Sequence, residues 1–143
     1  MSSNATDSGM STEELRDFYL RYVEVANKRE FHRMAEFTHD EVIMGGVTVK
    51  REDMMAHFHN HVTAVPDFHW EIQDLVVEGD RVAARLIDTG TPVQEWNGLA
   101  PTGASVSFAE TAFYQVQDGR FKYMWYLMDV DTIRRQLAGE PAN

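Results

Sequence analysis

Residues 104–129 read ASVSFAETAFYQVQDGRFKYMWYLMD, and this stretch is the clearest guide to the architecture. Apolar and polar residues alternate on both sides of Asp118-Gly119, a dipeptide favoured in two-residue turns between antiparallel strands. The pattern therefore predicts two long strands joined as a hairpin.

A two-residue turn also sets which side chains share a face, because strand side chains alternate between faces. If Gln117 pairs with Arg120, one face carries a mostly apolar set that we expect to face the helices: Phe108, Glu110, Ala112, Tyr114, Val116, Phe121, Tyr123, Trp125, Leu127 and Asp129. The opposite face then carries an apolar patch typical of a dimer interface, made of Phe113, Met124, Tyr126 and Met128.

The rest of the chain predicts helices first and strands afterwards. S-T-E-E is a helix-start signal before an apolar periodicity over about 12–28, and a shorter helical segment follows at about 30–38. Residues 68–90 alternate like a second hairpin turning at Gly79-Asp80, and VDTIRRQL predicts a closing helix. Without alternation of strands and helices, we expect an α+β fold with helices packed on one face of a curved antiparallel sheet.

HFHNH, residues 57–61, places three histidines at every second position, which on a strand would resemble a metal-ligand set. The surrounding segment has acidic residues near its start, no internal glycine or proline, and a stop at Val65-Pro66, which together predict a helix. On a helix His57 and His61 lie on one side and His59 on the other. We therefore expect no metal site.

Composition limits the partners. The 143 residues suit one domain, and the net charge of −10 disfavours nucleic acid and anionic membranes. No cysteine is present, and no signal peptide or membrane span is evident, so a cytoplasmic protein is expected. We expect a flexible lead-in over 1–11, a single domain over 12–138 and a frayed end over 139–143.

The two carboxylates on the predicted inner face suggest proton-transfer chemistry. Burial raises the pKa of a carboxyl group, so that Glu110 or Asp129 could take and return a proton near neutral pH, as enolisation requires. A structural alternative remains open, in which Asp129 caps the last helix and Glu110 pairs with an arginine such as Arg85.

The C-terminal half resembles the SnoaL-like polyketide cyclases. The features that carry the resemblance are Pro101-Thr102-Gly103, Asp118-Gly119-Arg120, Trp125 with Asp129 in a W-x-x-x-D pattern, and Gln136-Leu137. Upstream, Val65-Pro66-Asp67 and residues 78–82 also fit, so that the resemblance covers about residues 12–138. The chain departs from the pattern at Gly90-Thr91-Pro92, where Gly-Thr-His is frequent.

The resemblance implies a cone-shaped barrel of the nuclear-transport-factor-2 type, formed by a curved antiparallel sheet with N-terminal helices on its concave face, and a homodimer. It also implies an intramolecular aldol cyclase or related isomerase that needs no cofactor and acts on a small hydrophobic carbonyl substrate. Asp129 matches the acid of the motif, with Glu110 or His61 as a second acid/base or hydrogen-bond donor. The expected substrate-binding residues are Trp125, Phe108, Tyr114, Tyr22, Phe58 and Leu127.

Other functions remain open on the same fold, including a non-catalytic ligand-binding protein, an epoxide hydrolase and a dehydratase. A buried pair of acids with shifted pKa values would favour an enzyme. A pocket filled by Trp125 and Tyr126, with Asp129 serving only as a cap, would favour a binding protein.

Overall fold

The computed structural model describes residues 9–140. They form, in chain order, α1 (Thr12–Asn27), a 3-10 helix (Phe31–Glu36), β1 (Thr38–Met44), β2 (Val47–Lys50), α2 (Arg51–Ala64), β3 (His69–Glu78), β4 (Arg81–Gly90), β5 (Val106–Gln117), β6 (Arg120–Met128) and α3 (Val130–Leu137). Residues 1–8 and 141–143, which carry most of the predicted lead-in and frayed end, lie outside the described residues.

The six strands form one curved, unclosed sheet in the order β2-β1-β6-β5-β4-β3. The predicted hairpins β3–β4 and β5–β6 are both antiparallel, and β4 pairs antiparallel with β5. The structure adds a third hairpin, β1–β2, whose first strand runs parallel to β6. The predicted α+β class with helices against a curved sheet is confirmed.

Local sequence signals account for the element ends. Ser11 Oγ accepts a hydrogen bond from the Glu14 amide at 3.1 Å, and the Ser11 amide donates to the Glu14 carboxylate at 2.8 Å, which forms the capping box that starts α1. At the β5–β6 turn, Asp118 and Gly119 both have positive φ, as the predicted turn requires. The predicted helix through HFHNH is also confirmed as α2.

The register within β5–β6 differs from the predicted one. Gln117 pairs with Arg120 and Val116 with Phe121, as expected, but the next pair is Gln115 with Tyr123. Lys122 is therefore an extra residue in β6, a β-bulge that moves every later side chain of this strand to the other face.

The bulge corrects the two predicted faces. Glu110 pairs with Met128 rather than with Leu127, and the inner face of β6 carries Met124, Tyr126 and Met128. Trp125 and Leu127, expected inside, pair with Phe113 and Thr111 on the outer face.

Gly90, the last residue of β4, lies against the chain that follows α2. A Cβ placed there would come 2.5 Å from Val65 Cγ1 and 3.2 Å from Phe68 Cα. We expect Gly90→Ala to lower the free energy of unfolding by about 1–3 kcal/mol, because the backbone of Phe68 cannot move as a side chain can. Chemical denaturation measures this, with Thr89→Ala on the opposite face as control. A Gly90→Ala protein as stable as wild type would contradict the close packing.

Candidate active site

A cavity of about 280 Å³ lies between the helices and the concave face of the sheet. Its walls combine aromatic rings and methionines from α1, α2 and the sheet, among them Tyr19, Tyr22, Met54, Phe58, Trp70, Tyr114, Met124, Tyr126 and Met128. His57, Asn60, Glu95 and Asn97 also line it and are exposed, which marks the side on which the cavity opens. Such a cavity suits a flat, largely apolar ligand with few polar groups.

The tyrosines at the base of the cavity form a packed group. The ring centroids of Tyr19 and Tyr22 lie 5.2 and 5.8 Å from that of Tyr114. Burial raises the pKa of all three hydroxyls, so that they stay protonated at neutral pH. Their inner surfaces are therefore neutral and offer hydroxyl groups rather than charges.

Glu110 is a buried carboxyl group that lines the cavity, and it has a second carboxyl group behind it. Along β4 the side chains of Val82, Ala84, Leu86 and Asp88 share the buried face, and Leu86 pairs with Glu110. Asp88 is thus two residues along β4 from Leu86, on the same face of the sheet as Glu110. Asp88 is 0% exposed and Glu110 is 8% exposed.

The carboxyl groups of Asp88 and Glu110 have few hydrogen-bond partners among the described residues. No amide, hydroxyl or guanidinium group of residues 9–140 donates to either oxygen of Asp88, and Oε1 of Glu110 likewise lacks a partner. The two carboxyls are close enough for a hydrogen bond to each other. Because ionised carboxylates only accept hydrogen bonds, that contact requires a proton between them.

Burial is the main cause of the raised pKa of both groups. For Asp88 the hydrogen bond and the negative charge of Glu110 add to the rise, whereas for Glu110 the hydrogen bond from Asp88 works against it. Because the hydrogen bond raises the pKa of Asp88 and lowers that of Glu110, Asp88 is the better holder of the proton, which leaves Glu110 as the carboxylate facing the cavity. A proton shared in this way is available for acid/base chemistry at neutral pH.

His61, on α2, also lines the cavity. Its Nδ1 accepts a hydrogen bond from Trp96 Nε1 at 3.0 Å, and its Nε2 is buried without a partner among residues 9–140. Burial lowers the pKa of His61 to about 4, with His57 and Arg29 adding to the effect, so that the ring is neutral. In that state it cannot act as a cationic acid near neutral pH.

Asp129 lies outside the cavity. Its Oδ1 accepts from the Thr132 amide at 3.1 Å and its Oδ2 from Thr132 Oγ1 at 2.7 Å, which makes it the N-cap of α3. The expectation that Asp129 faces the interior is wrong, because the bulge at Lys122 puts Met128 opposite Glu110. The suggested ion pair of Glu110 with Arg85 is also wrong, since Arg85 pairs with Asp74 at 2.6 Å on the outer face.

The other predicted site residues divide into two groups. Tyr22, Phe58 and Tyr114 line the cavity as expected, and Trp125 contributes to its wall although its ring stacks on Tyr123. Phe108 is buried in a separate cluster, with its ring 5.8 Å from that of Trp96, and Leu127 is 73% exposed. Neither of these two lines the cavity.

The histidines of HFHNH do not come together. His59 points its ring at Phe31, with centroids 5.0 Å apart, whereas His57 and His61 belong to the cavity wall. Among residues 9–140, no three histidine, aspartate or glutamate side chains are grouped in a way that could hold a metal ion.

Asp88 and Trp96 were missed from the sequence. Asp88 had a signal, because the alternation Val82-Ala84-Leu86-Asp88 puts it on the apolar face of its strand. Trp96 begins W-N-G-L, and Asn-Gly is a strong signal for a tight hairpin turn.

Comparison with known proteins agrees with the fold. The model of the SnoaL-like polyketide cyclase family matches residues 16–137, and the chain belongs to this family. Family membership suggests an enzymatic role on a small molecule. No curated protein matches the sequence.

Several solved structures are similar over most of the chain. A SnoaL-like polyketide cyclase from Agrobacterium tumefaciens shares 30% identity, with a TM-score of 0.82, over 90% of this chain and 99% of its own. TsrD from Streptomyces laurentii shares 25% identity, with a TM-score of 0.81, over 90% of this chain and 97% of its own. AclR from Streptomyces galilaeus, a candidate hydroxylase, shares 25% identity, with a TM-score of 0.76, over 92% of this chain and 100% of its own.

None of the helices within residues 9–140 combines the length and the apolar character needed to cross a bilayer.

Proposed function

We propose that the protein is a cofactor-independent acid/base enzyme that acts on a polyketide-like or polycyclic carbonyl compound, as an intramolecular aldol cyclase or a closely related isomerase. The observation that carries the proposal is the buried Glu110–Asp88 pair, which opens through Glu110 onto an aromatic cavity. Two buried carboxyl groups that share a proton and have no neighbouring cation do not stabilise the fold, but they suit proton transfer to and from carbon.

Glu110 is the group that would exchange the proton. Its carboxylate removes a proton from the carbon next to a carbonyl, the C–H bond breaks, and the electron pair forms the enolate. The enolate carbon then attacks a second carbonyl carbon of the same molecule, and the new alkoxide takes the proton from Glu110. The carboxylate is thereby restored, and an isomerase would differ only by returning the proton to another carbon.

Asp88 would act through Glu110. By keeping a proton of its own, it donates a hydrogen bond to the Glu110 carboxylate and limits the repulsion that a second buried negative charge would cause. The aromatic walls orient the folded substrate, which supplies a further part of the rate enhancement.

The test is exchange of carbon-bound hydrogen in D₂O, followed by NMR on a set of bicyclic and tricyclic ketones that contain an aromatic ring, such as 2-tetralone. We expect the protein to accelerate exchange at the carbon next to the carbonyl without any added cofactor. Ketones that bind in the cavity without faster exchange would instead identify a binding protein.

A homodimer through the outer face of the sheet is the assembly we propose. The register aligns Val76, Ala83, Phe113 and Trp125 across four strands, with Leu127 in the next row. Phe113 is 55% and Trp125 38% exposed, so that the chain alone presents a continuous apolar patch to water. This patch replaces the predicted one, of which only Phe113 lies outside.

We expect a dimer by light scattering at micromolar concentration, and a monomer for Phe113→Glu, because a charge in the patch would be buried without a partner. Val47→Glu is the control, since Val47 is equally exposed but lies on β2 at the far edge of the sheet. A monomeric wild type, or dissociation by Val47→Glu as well, would refute this interface.

A further inference from the structure

The hydrogen bond between Trp96 and His61 fixes the position of a proton. An indole Nε1 carries a hydrogen and can only donate, so the imidazole nitrogen that faces it, Nδ1, must be the one without hydrogen. Since the ring is neutral, its single hydrogen is on Nε2. His61 is thus held as one tautomer.

The hydrogen on Nε2 has no protein acceptor within residues 9–140, although the atom is buried. Buried donors are nearly always paired in folded proteins, and other atoms of His61 line the cavity, so a ligand that displaces the wall slightly would supply the missing acceptor. The group that fits an N–H donor is an oxygen with lone pairs.

The ring cannot easily turn to present its other edge. The Phe68 ring lies edge-on to it with centroids 4.1 Å apart, and the Trp70 ring stacks on it at 5.6 Å and 28°. A flip of the imidazole would put Cδ2–H where Nδ1 now lies, so that the Trp96 indole N–H would lose its acceptor.

Trp96 is itself held by a two-residue hairpin. The Trp96 amide donates to the Leu99 carbonyl and the Leu99 amide to the Trp96 carbonyl, both at 2.9 Å. Asn97 and Gly98 between them have φ of 52° and 75°, a combination that the Asn-Gly sequence adopts readily. The indole is 5% exposed and packs against Phe68 and Phe108, so the donor is rigidly placed.

We propose that Trp96 is a positioning residue that holds His61 as the neutral Nε2–H tautomer, and that this N–H binds the carbonyl or enolate oxygen of the substrate. The inference rests on the proposed function for the identity of the ligand. A neutral imidazole can stabilise the negative charge that develops on the oxygen while keeping its own proton. His61 is then an electrostatic partner, and Glu110 alone moves the proton.

The tautomer can be measured without substrate, on protein labelled with ¹⁵N in histidine. Two-bond ¹H–¹⁵N correlations distinguish a ring protonated at Nε2 from one protonated at Nδ1, and the His61 signals are assigned by their loss in His61→Gln. We expect a single Nε2–H tautomer in the wild type. Trp96→Phe, which keeps an aromatic ring but removes the donor, should give a mixture, whereas Trp70→Phe, which keeps the donor, should not.

Ligand binding provides the second readout, with 2-naphthol as an enol-like probe and naphthalene as the matched compound without oxygen. We expect 2-naphthol to shift the His61 Nε2–H signal. Trp96→Phe should weaken 2-naphthol in proportion to the Nε2–H tautomer lost, by at most about tenfold, the effect of one hydrogen bond. Naphthalene should be weakened less, by the change in the cavity wall alone. An Nδ1–H tautomer in the wild type, or equal weakening of both compounds, would overturn the inference. The proposed function fails separately, through the ketone exchange assay.

Discussion

Glu110→Gln is expected to reduce the rate of exchange at the carbon next to the carbonyl by about 10²–10⁴-fold, the usual contribution of a positioned acid/base. Glutamine has nearly the same shape and still accepts and donates hydrogen bonds, but it cannot exchange a proton. Affinity for the ketone should change little, so that the loss falls on turnover rather than on binding.

Two acids serve as controls for this substitution. Asp129→Asn should keep nearly the wild-type rate, because asparagine is almost as good an N-cap and Asp129 lies outside the cavity. Glu95→Gln should also have a small effect, since Glu95 lines the cavity but is exposed. A Glu110→Gln protein that keeps more than about a third of the wild-type rate would contradict the role of Glu110.

Loss of folding can be separated from loss of chemistry. Glu110→Gln removes an ionisable group from a buried site, so its free energy of unfolding near neutral pH should be equal to or above that of the wild type. An inactive but stable variant therefore identifies a chemical effect.

Asp88→Asn is expected to stabilise the protein more as the pH rises. In the unfolded chain Asp88 and Glu110 ionise near pKa values of about 3.9 and 4.3, whereas burial raises both in the folded protein. Above pH 4 the folded protein therefore binds more protons than the unfolded chain. Stability falls as the pH rises toward the folded pKa values, by up to about 1.4 kcal/mol per pH unit for each retained proton.

Asparagine at this position has no proton to lose and can still donate to Glu110. We expect wild type and Asp88→Asn to unfold with similar free energies near about pH 4, and the variant to be the more stable one at about pH 8. Urea denaturation across this range measures the difference. Asp74→Asn is the control, because its carboxylate is exposed and ion-paired with Arg85. If Asp88→Asn were destabilised equally at every pH, Asp88 would not retain a proton.

The local parts of this fold could be read from the sequence because their signals are local. The capping box at Ser11, the helical periodicity through HFHNH and the Asp118-Gly119 turn each lie within a few residues. The order of helices before strands predicted helices against one face of the sheet, and the family resemblance added that this face is the concave one.

The site was harder to predict because it depends on register. Lys122 lies in a regular alternation of polar and apolar residues, and nothing in that alternation marks it as a bulge. The bulge nevertheless changes which side chains of β6 face inward. The inner face carries Met124, Tyr126 and Met128 in place of Trp125, Leu127 and Asp129. Glu110 lies on β5, the strand without the bulge, where the alternation of buried and exposed residues is continuous. Its position on the buried face was therefore predicted.

The contact between Asp88 and Glu110 joins two strands that were assigned to separate hairpins. Pairing of β4 with β5 brings them together, and no turn sequence specifies that pairing directly, because a fifteen-residue connection separates the strands. The same connection contains Trp96, whose contact with α2 depends on tertiary packing.

The most direct test of the account is a ¹³C NMR titration of the side-chain carboxyl groups in aspartate- and glutamate-labelled protein, with assignments from Asp88→Asn and Glu110→Gln. We predict that this pair still holds a proton at pH 7, and that the Asp88 signal does not move through the range near pH 4 where exposed carboxyls titrate. If both signals titrated near pH 4 like those of exposed acids, the pair would be fully ionised at neutral pH and could not supply the shared proton on which the proposed chemistry depends.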